Sequence, residues 1–199
     1  MGDASEDSST RHLQTRYGVI SYLEVADHVA EHLAGLLDRV AFGDFSKRAL
    51  DVDLLCDFHG AILEPVVPNI AGKLRMVDVT VGKHLPPPYW EVRMLLRECL
   101  ANLEAQLSAA GEDLERQIEA LAYAEGEILR IHPFEDFNGR AVRAFLMEVL
   151  ERLDLPPVEL SVQRKTQRFE DYKLALRAND TGDPRLLREF WVARFESME

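Results

Sequence analysis

Apolar residues recur every three or four positions along most of the chain, which is typical of helices with one buried face. The first such stretch runs for about twenty residues from Ile20 and ends at Gly43. Residues 1–14 before it are polar, and we expect them to form a flexible tail. The pattern predicts a mainly helical fold, with further helices over about residues 51–63, 92–107, 114–129, 142–153, 166–178 and 184–195.

The stretch from Leu114 to Leu129 is predicted to be the central helix. Asp113 precedes it as an N-cap, and its apolar face is broad. Small residues on it would let other helices approach closely; they are Ala120, Ala122, Ala124 and Gly126. Pro133 cannot continue a helix, so the central helix must end just before it.

One segment departs from helical spacing. Valines alternate with polar residues over Met76–Val81, which is typical of a β-strand. An isolated strand is marginally stable, so it must either cover the core as a hairpin or leave an edge that pairs with a partner's peptide. Pro86, Pro87 and Pro88 then form a stiff connector, which we expect Tyr89 and Trp90 to hold against the body of the protein.

Composition narrows the class of protein. The chain has 199 residues, of which 47% are apolar and 29% charged, which suits one globular domain over residues 15–199. A net charge of −12 opposes binding to nucleic acid, and the chain has no apolar run of about 18 residues that would span a membrane. Cys56 and Cys99 lie in apolar helical stretches and indicate buried thiols rather than a disulfide. We therefore expect a cytoplasmic protein.

Residues 132–143 concentrate groups that suit a phosphate ligand. The turn Asn138-Gly139 lies where the fifth helix begins, and the unpaired N–H groups of a helix N-terminus bind anions. Arg140 and Arg143 are three residues apart and therefore project from one face of that helix. Their planar guanidinium groups bind phosphate oxygens in pairs.

Two further groups extend this interpretation. His132 accepts a proton near neutral pH, and Asp136 is a hard oxygen ligand of the kind that holds Mg²⁺ beside phosphates. Each residue taken alone is explained as well by helix capping or solvation. Their combination within twelve residues favours a nucleotide site.

The same residues resemble the signature of the Fic family, His-Pro-Phe-x-Asp/Glu-Gly-Asn-Gly-Arg-x-x-Arg. The positions that match are His132, Pro133, Phe134, Asp136, Asn138, Gly139, Arg140 and Arg143. Residues 72–88 resemble the segment known as the flap in this family, and residues 168–187 resemble the C-terminal helices of the family. The resemblance covers roughly residues 50–195.

The resemblance implies a Fic-type helical bundle around a helix–loop–helix active site, with a short β-hairpin flap. It implies a protein adenylyltransferase that transfers AMP from Mg-ATP to a Ser, Thr or Tyr hydroxyl of a target protein. His132 would be the catalytic base and Asp136 would hold Mg²⁺. The other roles would be phosphate binding by Asn138, Gly139 and Arg140 (α and β) and by Arg143 (γ), and docking of the target on flap residues Arg75, Val77, Asp78, Val79, Thr80 and Val81.

Phe137 stands where the family has its first glycine. We expect a positive φ at this turn, which costs a bulky residue about 1–2 kcal/mol. The ring would also narrow the nucleotide pocket or stack on a base. This departure leaves two alternatives open: a catalytically impaired relative that binds nucleotide or peptide, and a transferase that uses a different nucleotide or a phosphocholine donor.

A second departure concerns control of activity. Many relatives carry an inhibitory Ser/Thr-x-x-x-Glu-Gly/Asn helix whose glutamate pairs with the second arginine of the signature. Only Ile20 to Glu24 approaches this spacing near the N-terminus, and Thr166 to Glu170 lies in the C-terminal helical pattern. We therefore expect no self-inhibition, and a separate inhibitory protein, comparable to an antitoxin, as a partner.

Overall fold

A computed structural model describes residues 12–197, and the prediction of a mainly helical fold is confirmed. The seven helices of the described residues lie close to the predicted positions. A hairpin of two strands, β1 His12–Thr15 and β2 Gly18–Ser21, precedes them, and a short 3₁₀ turn covers Tyr89–Glu91. Helices α1 to α7 are Tyr22–Ala41, Val52–Leu63, Val92–Ala110, Leu114–Ile131, Asn138–Arg152, Gln167–Asp180 and Arg185–Glu196.

Helix α4 occupies the centre of the bundle, as predicted. It packs against α3, α5, α6 and α7, while α1 and α2 cover α5 on the other side. A Cβ atom at Gly126 would lie only 2.5–2.7 Å from side-chain atoms of Asn179. The glycine therefore allows α6 to approach α4 closely at this point.

A buried ion pair joins α4 to the C-terminal helices. The Arg194 guanidinium donates to both oxygens of Glu125 at 2.7 and 3.1 Å, and the Tyr172 hydroxyl donates to Oε1 of Glu125 at 2.6 Å. Both charged side chains are at most 2% exposed, so an unpaired charge would be costly here. The three residues fix the relative positions of α4, α6 and α7.

The N-terminal hairpin corrects the predicted tail. Residues 1–11 lie outside the described part of the chain, but His12 to Thr15 form β1 and pair with β2 from His12 opposite Ser21 to Thr15 opposite Gly18. The backbone N–H of Arg16 donates to the carbonyl of Val66 at 2.9 Å. The segment is too short and polar to show a strand pattern, and this contact with a distant loop holds it in place.

The strand predicted over Met76–Val81 is wrong. Within residues 12–197, no backbone hydrogen bond to another backbone group is recorded for residues 76–80, and the flap has one isolated bridge between Val81 and His84. Gly82, with φ of 62°, makes the tight turn between them. Met76 and Val77 are 71% and 51% exposed, so the alternating valines do not face the core.

The connector after the flap also differs from expectation. Trp90 is 65% exposed and does not pin the segment to the body. The contact comes instead from the Tyr89 backbone N–H, which donates to Oδ1 of Asp78 at 2.9 Å.

The two cysteines are free, as predicted, and burial raises the pKa of Cys99 to about 12 and that of the half-buried Cys56 to about 11. None of the helices described has the length and hydropathy needed to cross a bilayer.

Arg75 has a different place from the one predicted for a target-docking residue. Its side chain is 1% exposed and donates to the carbonyls of Ile131 (3.3 Å) and His132 (2.8 Å) at the end of α4. It also donates to the carbonyls of Val77 and Pro87 in the flap. Arg75 thus satisfies carbonyls that the helix terminus leaves unpaired, and it ties the flap to α4.

We predict that Arg75→Met lowers the free energy of unfolding by about 2–4 kcal/mol, because it removes several charge-assisted hydrogen bonds to buried carbonyls. Chemical denaturation measures this change. The exposed Arg93 provides a matched control, and Arg93→Met should change stability by less than about 0.5 kcal/mol. Equal losses in the two variants would show that the buried bonds contribute nothing specific.

Candidate active site

The loop between α4 and α5 reverses the chain within six residues. His132 is the C-cap of α4 in the left-handed region (φ 51°, ψ 65°), and its N–H donates to the carbonyl of Ile128 at 3.0 Å. Pro133 follows, and Phe134 is fully buried. The end of α4 and the start of α5 therefore open onto the same space.

Asn138 closes this loop with its side chain. The N–H of Phe134 donates to Oδ1 of Asn138, and Nδ2 of Asn138 donates to the carbonyl of Phe134, both at 2.9 Å. The amide is 2% exposed and both its ends are used. The contribution of Asn138 to an anion site is therefore its backbone N–H, while its side chain sets the shape of the loop.

His59 of α2 is fully buried and supports the loop from behind. Its ring stacks on Phe134 with centroids 3.8 Å apart. Because the Gly72 N–H donates to Nδ1 at 3.0 Å, Nε2 carries the proton and donates to the Asp136 carbonyl at 3.1 Å. Burial lowers the pKa of His59 to about 4, so the ring is neutral at pH 7.

Phe137 adopts the positive φ that the sequence predicts, at 56° with ψ of 17°. Its N–H donates to Oδ1 of Asp136 at 2.8 Å, which orients that carboxylate next to the start of α5. The ring stacks on Tyr22 of α1, with centroids 5.4 Å apart and planes inclined by 13°. Tyr22 thus takes the place that the sequence reasoning gave to a nucleotide base.

The start of α5 has the open backbone N–H groups that the predicted anion cradle requires. The Arg140 N–H bonds to the Phe137 carbonyl at 3.0 Å, whereas within residues 12–197 the N–H groups of Asn138 and Gly139 donate to no other backbone group. A Cβ at Gly139 would meet no atom within 4 Å. Neither packing nor a positive φ requires this glycine, and what it does is leave the cradle open to a ligand.

Arg140 and Arg143 both line the space in front of the cradle. Arg143 donates through Nε to the Gly139 carbonyl at 3.2 Å. No carboxylate in residues 12–197 forms a salt bridge with either guanidinium. Burial, and next the charge of Arg140, lower the pKa of Arg143. Two like charges held close together favour an anion between them.

These groups line one cavity of about 700 Å³, which we call the phosphate cavity. The structure brings together most of the predicted site residues here, including His132, Asp136, Phe137 and both arginines, and the flap adds Val79, Thr80 and Val81. Val77, Asp78 and Arg75 do not line it. Sequence reasoning missed Tyr22, Leu23 and Ala26 of α1 and Arg164 of the α5–α6 loop. No spacing links these positions to residues 132–143, since whole helices separate them.

A second cavity of about 460 Å³ adjoins the first. It lies between α4, α6 and the tip of the flap, and it shares His132, Val81 and Gly82 with the phosphate cavity. Leu129 and Leu176 supply apolar walls. His84 fixes the tip, because its ring bonds to the Arg130 carbonyl at 2.8 Å and to Asp180 at 3.1 Å.

His132 therefore stands where the two cavities meet. Burial lowers the pKa of its imidazole to about 4, and the charges of Arg75 and His84 act in the same direction. The ring is neutral at pH 7. A neutral imidazole in this position can accept a proton from a group that enters either cavity.

The donor set suits Mg²⁺ bound together with phosphate. Asp136 lines the phosphate cavity beside the cradle, and a carboxylate combined with phosphate oxygens is the usual Mg²⁺ arrangement. Among residues 12–197, no three His, Cys, Asp or Glu side chains form a cluster that would hold a metal ion by themselves, without a bound nucleotide. The residues present thus fit an ion that arrives with a nucleotide.

Neither glutamate considered for self-inhibition forms a salt bridge with Arg140 or Arg143. Glu24 forms a capping box with Ser21, whose hydroxyl and backbone N–H donate to Oε2 of Glu24 at 2.7 and 2.9 Å, and these two bonds lower the pKa of Glu24. Glu170 pairs with Lys173 at 2.7 Å. Both residues serve their own helices.

Comparison with known proteins identifies the family. The family model described as "Fic/DOC family" matches residues 49–150. The protein adenylyltransferase Fic of Culex quinquefasciatus is 31% identical over 131 residues, and that of Drosophila persimilis is 29% identical over 129. The matches cover 66% and 65% of this chain, but only 25% of each relative.

Solved structures agree on the fold. BepC, a VirB-translocated effector protein from Bartonella tribocorum with bound AMPPNP, superposes with a TM-score of 0.74 at 15% identity, covering 94% of both chains. Fic-1 from C. elegans superposes with a TM-score of 0.68 at 23% identity, covering 87% of this chain and 50% of that one. The family match spans about half of the sequence and contains the whole loop between α4 and α5. The chain belongs to the Fic/DOC family.

Proposed function

We propose that this protein is an adenylyltransferase that moves AMP from Mg-ATP to a Ser, Thr or Tyr hydroxyl of a target protein. One observation carries the proposal: a neutral histidine, a carboxylate, an open helix N-terminus and two arginines face one cavity next to a second, partly apolar cavity. The relatives named above as protein adenylyltransferases, and the AMPPNP bound to BepC, support it.

The nucleotide lies across both cavities. The base and ribose occupy the second cavity, between Leu129 and Leu176, and the α-phosphate lies near His132 where the cavities meet. The β- and γ-phosphates extend to the N–H groups of Asn138 and Gly139 and to the two arginines. Mg²⁺ held by Asp136 would neutralise charge on these phosphates.

The chemistry is an in-line displacement at the α-phosphorus. His132 accepts the proton of the target hydroxyl, and the hydroxyl oxygen forms the new bond to phosphorus. The bond from the α-phosphorus to the oxygen bridging to the β-phosphate breaks, and pyrophosphate leaves. Arg140 and Arg143 stabilise the charge that develops on the leaving group.

The target segment lies along the flap. In the described part of the chain no other backbone group bonds to residues 76–80, and Val77 is 51% exposed. The Val77 carbonyl accepts from Arg75, so a peptide can pair with the other backbone groups of this edge. The side chains of Val79, Thr80 and Val81 face the phosphate cavity, which would bring an acceptor hydroxyl close to His132. Control of activity falls to a separate inhibitory protein, because Glu24 and Glu170 are engaged elsewhere.

A second candidate is a relative that binds nucleotide without turnover. The observation that favours it is the Phe137 ring, which lines the phosphate cavity where the family signature has a glycine. Phe137→Gly separates the two: a gain in transfer of tenfold or more would support the impaired relative, whereas robust transfer by the wild type excludes it.

We predict that the purified protein, incubated with Mg²⁺, ATP labelled at the α-phosphate and a lysate as the source of target, labels a protein with AMP. His132→Ala should reduce this by 10²-fold or more, since general-base catalysis contributes about 10²–10⁴-fold. His28→Ala is the matched control, because His28 is exposed on α1 and lies outside both cavities. Equal labelling by wild type and His132→Ala would refute the proposal. If the protein labels its target with another nucleoside triphosphate or a phosphocholine carrier but not with ATP, that compound is the donor instead of ATP.

The pH dependence tests the state of His132. Burial lowers the pKa of the imidazole from its ordinary 6.5 to about 4, so the neutral base persists as the pH falls through 6.5. We predict that kcat/KM, which reports the free enzyme, shows no loss from this group between about pH 6 and 8. A half-loss centred near pH 6.5 that is missing from the residual activity of His132→Ala would contradict this prediction.

A further inference from the structure

Phe137 is the one position of residues 132–143 at which the chain departs from the family signature, and its ring has specific neighbours. It is 5% exposed although it borders the phosphate cavity. One neighbour is Tyr22, at a centroid distance of 5.4 Å with nearly parallel planes. The other is Arg140, whose Cζ lies 5.2 Å from the centre of the Phe137 ring.

This distance is within the range of a cation–π interaction. A guanidinium within about 6 Å of an aromatic centroid is attracted to the ring. Among residues 12–197 Arg140 forms no salt bridge, and its guanidinium lies over the Phe137 ring. Holding a long side chain in one orientation costs conformational entropy, which a contact made before the ligand arrives offsets.

Tyr22 braces the ring from an element outside the matched part of the chain. The family model begins at residue 49, whereas Tyr22 is the first residue of α1. The capping box of Ser21 and Glu24 fixes the start of this helix, and β2 ends immediately before it. Strand β2 before Tyr22 and the capped first turn of α1 after it therefore fix the backbone of Tyr22. Its ring accordingly has a defined position against Phe137.

We propose that Phe137 is a positioning residue: its ring, braced by Tyr22, holds the Arg140 guanidinium toward the anion cradle. A glycine at this turn would leave Arg140 without that contact. The identification of the anion as the phosphates of ATP rests on the proposed function. The alternative is that Phe137 only fills space between α1 and the loop, in which case the orientation of Arg140 would not depend on it.

NMR tests the arrangement without nucleotide. The Hδ and Hε resonances of Arg140 should be displaced by the ring current of Phe137 in the wild type and should return toward ordinary values in Phe137→Leu. Phe137→Tyr keeps an aromatic ring and should retain the displacement. Identical Arg140 resonances in the wild type and Phe137→Leu, with the fold intact by amide spectra, would overturn the proposal.

Nucleotide affinity tests the consequence. His132→Ala serves as the background, because it prevents turnover. In this background Phe137→Leu should raise the Kd for ATP by about two- to five-fold, which is the loss expected when an exposed cation–π contact is removed. The same substitution should have no effect when Arg140→Gln is already present, because the ring acts through Arg140. An equal loss in both backgrounds would show that Phe137 acts through packing and would refute the positioning role.

Tyr22 and Tyr17 provide a matched pair of variants. Tyr22→Ala should weaken ATP binding in the same direction as Phe137→Leu, and Tyr22→Phe should not. Tyr17 also belongs to the N-terminal part of the chain, but its ring contacts His28 and is 60% exposed, so Tyr17→Ala should leave affinity unchanged. Equal effects of Tyr22→Ala and Tyr17→Ala on ATP affinity would contradict the proposal that Tyr22 supports the Phe137 ring.

The two proposals fail in different ways. If the wild type binds no ATP, the proposed function fails, and the NMR comparison still decides whether the ring orients Arg140. If ATP binds and AMP is transferred but the double-mutant cycle shows no coupling, the positioning role fails and the transferase stands.

Discussion

The site depends on one constraint: α4 must end and α5 must begin within six residues, with both termini directed into the same space. The paired bonds between Asn138 and Phe134 meet this constraint from inside the loop. His59 supports it from behind through the Asp136 carbonyl, and Arg75 takes up the last carbonyls of α4. These contacts place His132 and the N-terminus of α5 at the same cavity.

The same constraint sets the electrostatics of the site. Closing the loop buries His132 and His59, which lowers both pKa values to about 4 and keeps both rings neutral. It also brings Arg140 and Arg143 together within the first two turns of α5, in a chain whose net charge is −12. Two adjacent arginines on an otherwise acidic protein favour a small anion over an extended polyanion. The charge pattern therefore matches a small anionic ligand.

Much of this arrangement could be predicted from the sequence, because it depends on local pattern. Helical spacing identified all seven helices of the described residues, and Asp113 and Pro133 marked the ends of α4. The left-handed turn at Phe137 followed from the glycine that the family signature has there. These features are decided by residues close together in the chain.

What the sequence missed depends on contacts between distant segments. The valines of Met76–Val81 have the period of a strand, yet that segment has no partner strand in residues 12–197 and stays an open edge. Arg75 looked like a flap residue exposed to a target, but the unpaired carbonyls of α4 draw it into the interior. Tyr22 and Arg164 reach the site across whole helices, so no spacing reveals them.

Phe137 shows how such distant contacts alter a local rule. A left-handed conformation costs a bulky residue about 1–2 kcal/mol, which favours glycine at this turn. Burying a phenyl ring contributes about 1.5–3 kcal/mol, and stacking on another ring adds about 0.5–1.5 kcal/mol. The ring is 5% exposed and stacked on Tyr22, so these gains offset the strain. The substitution is therefore compatible with a stable loop, and the partner ring that α1 supplies adds to the stabilisation. The N-terminal helix and the signature loop of this chain form one unit, although only the loop lies within the matched family region.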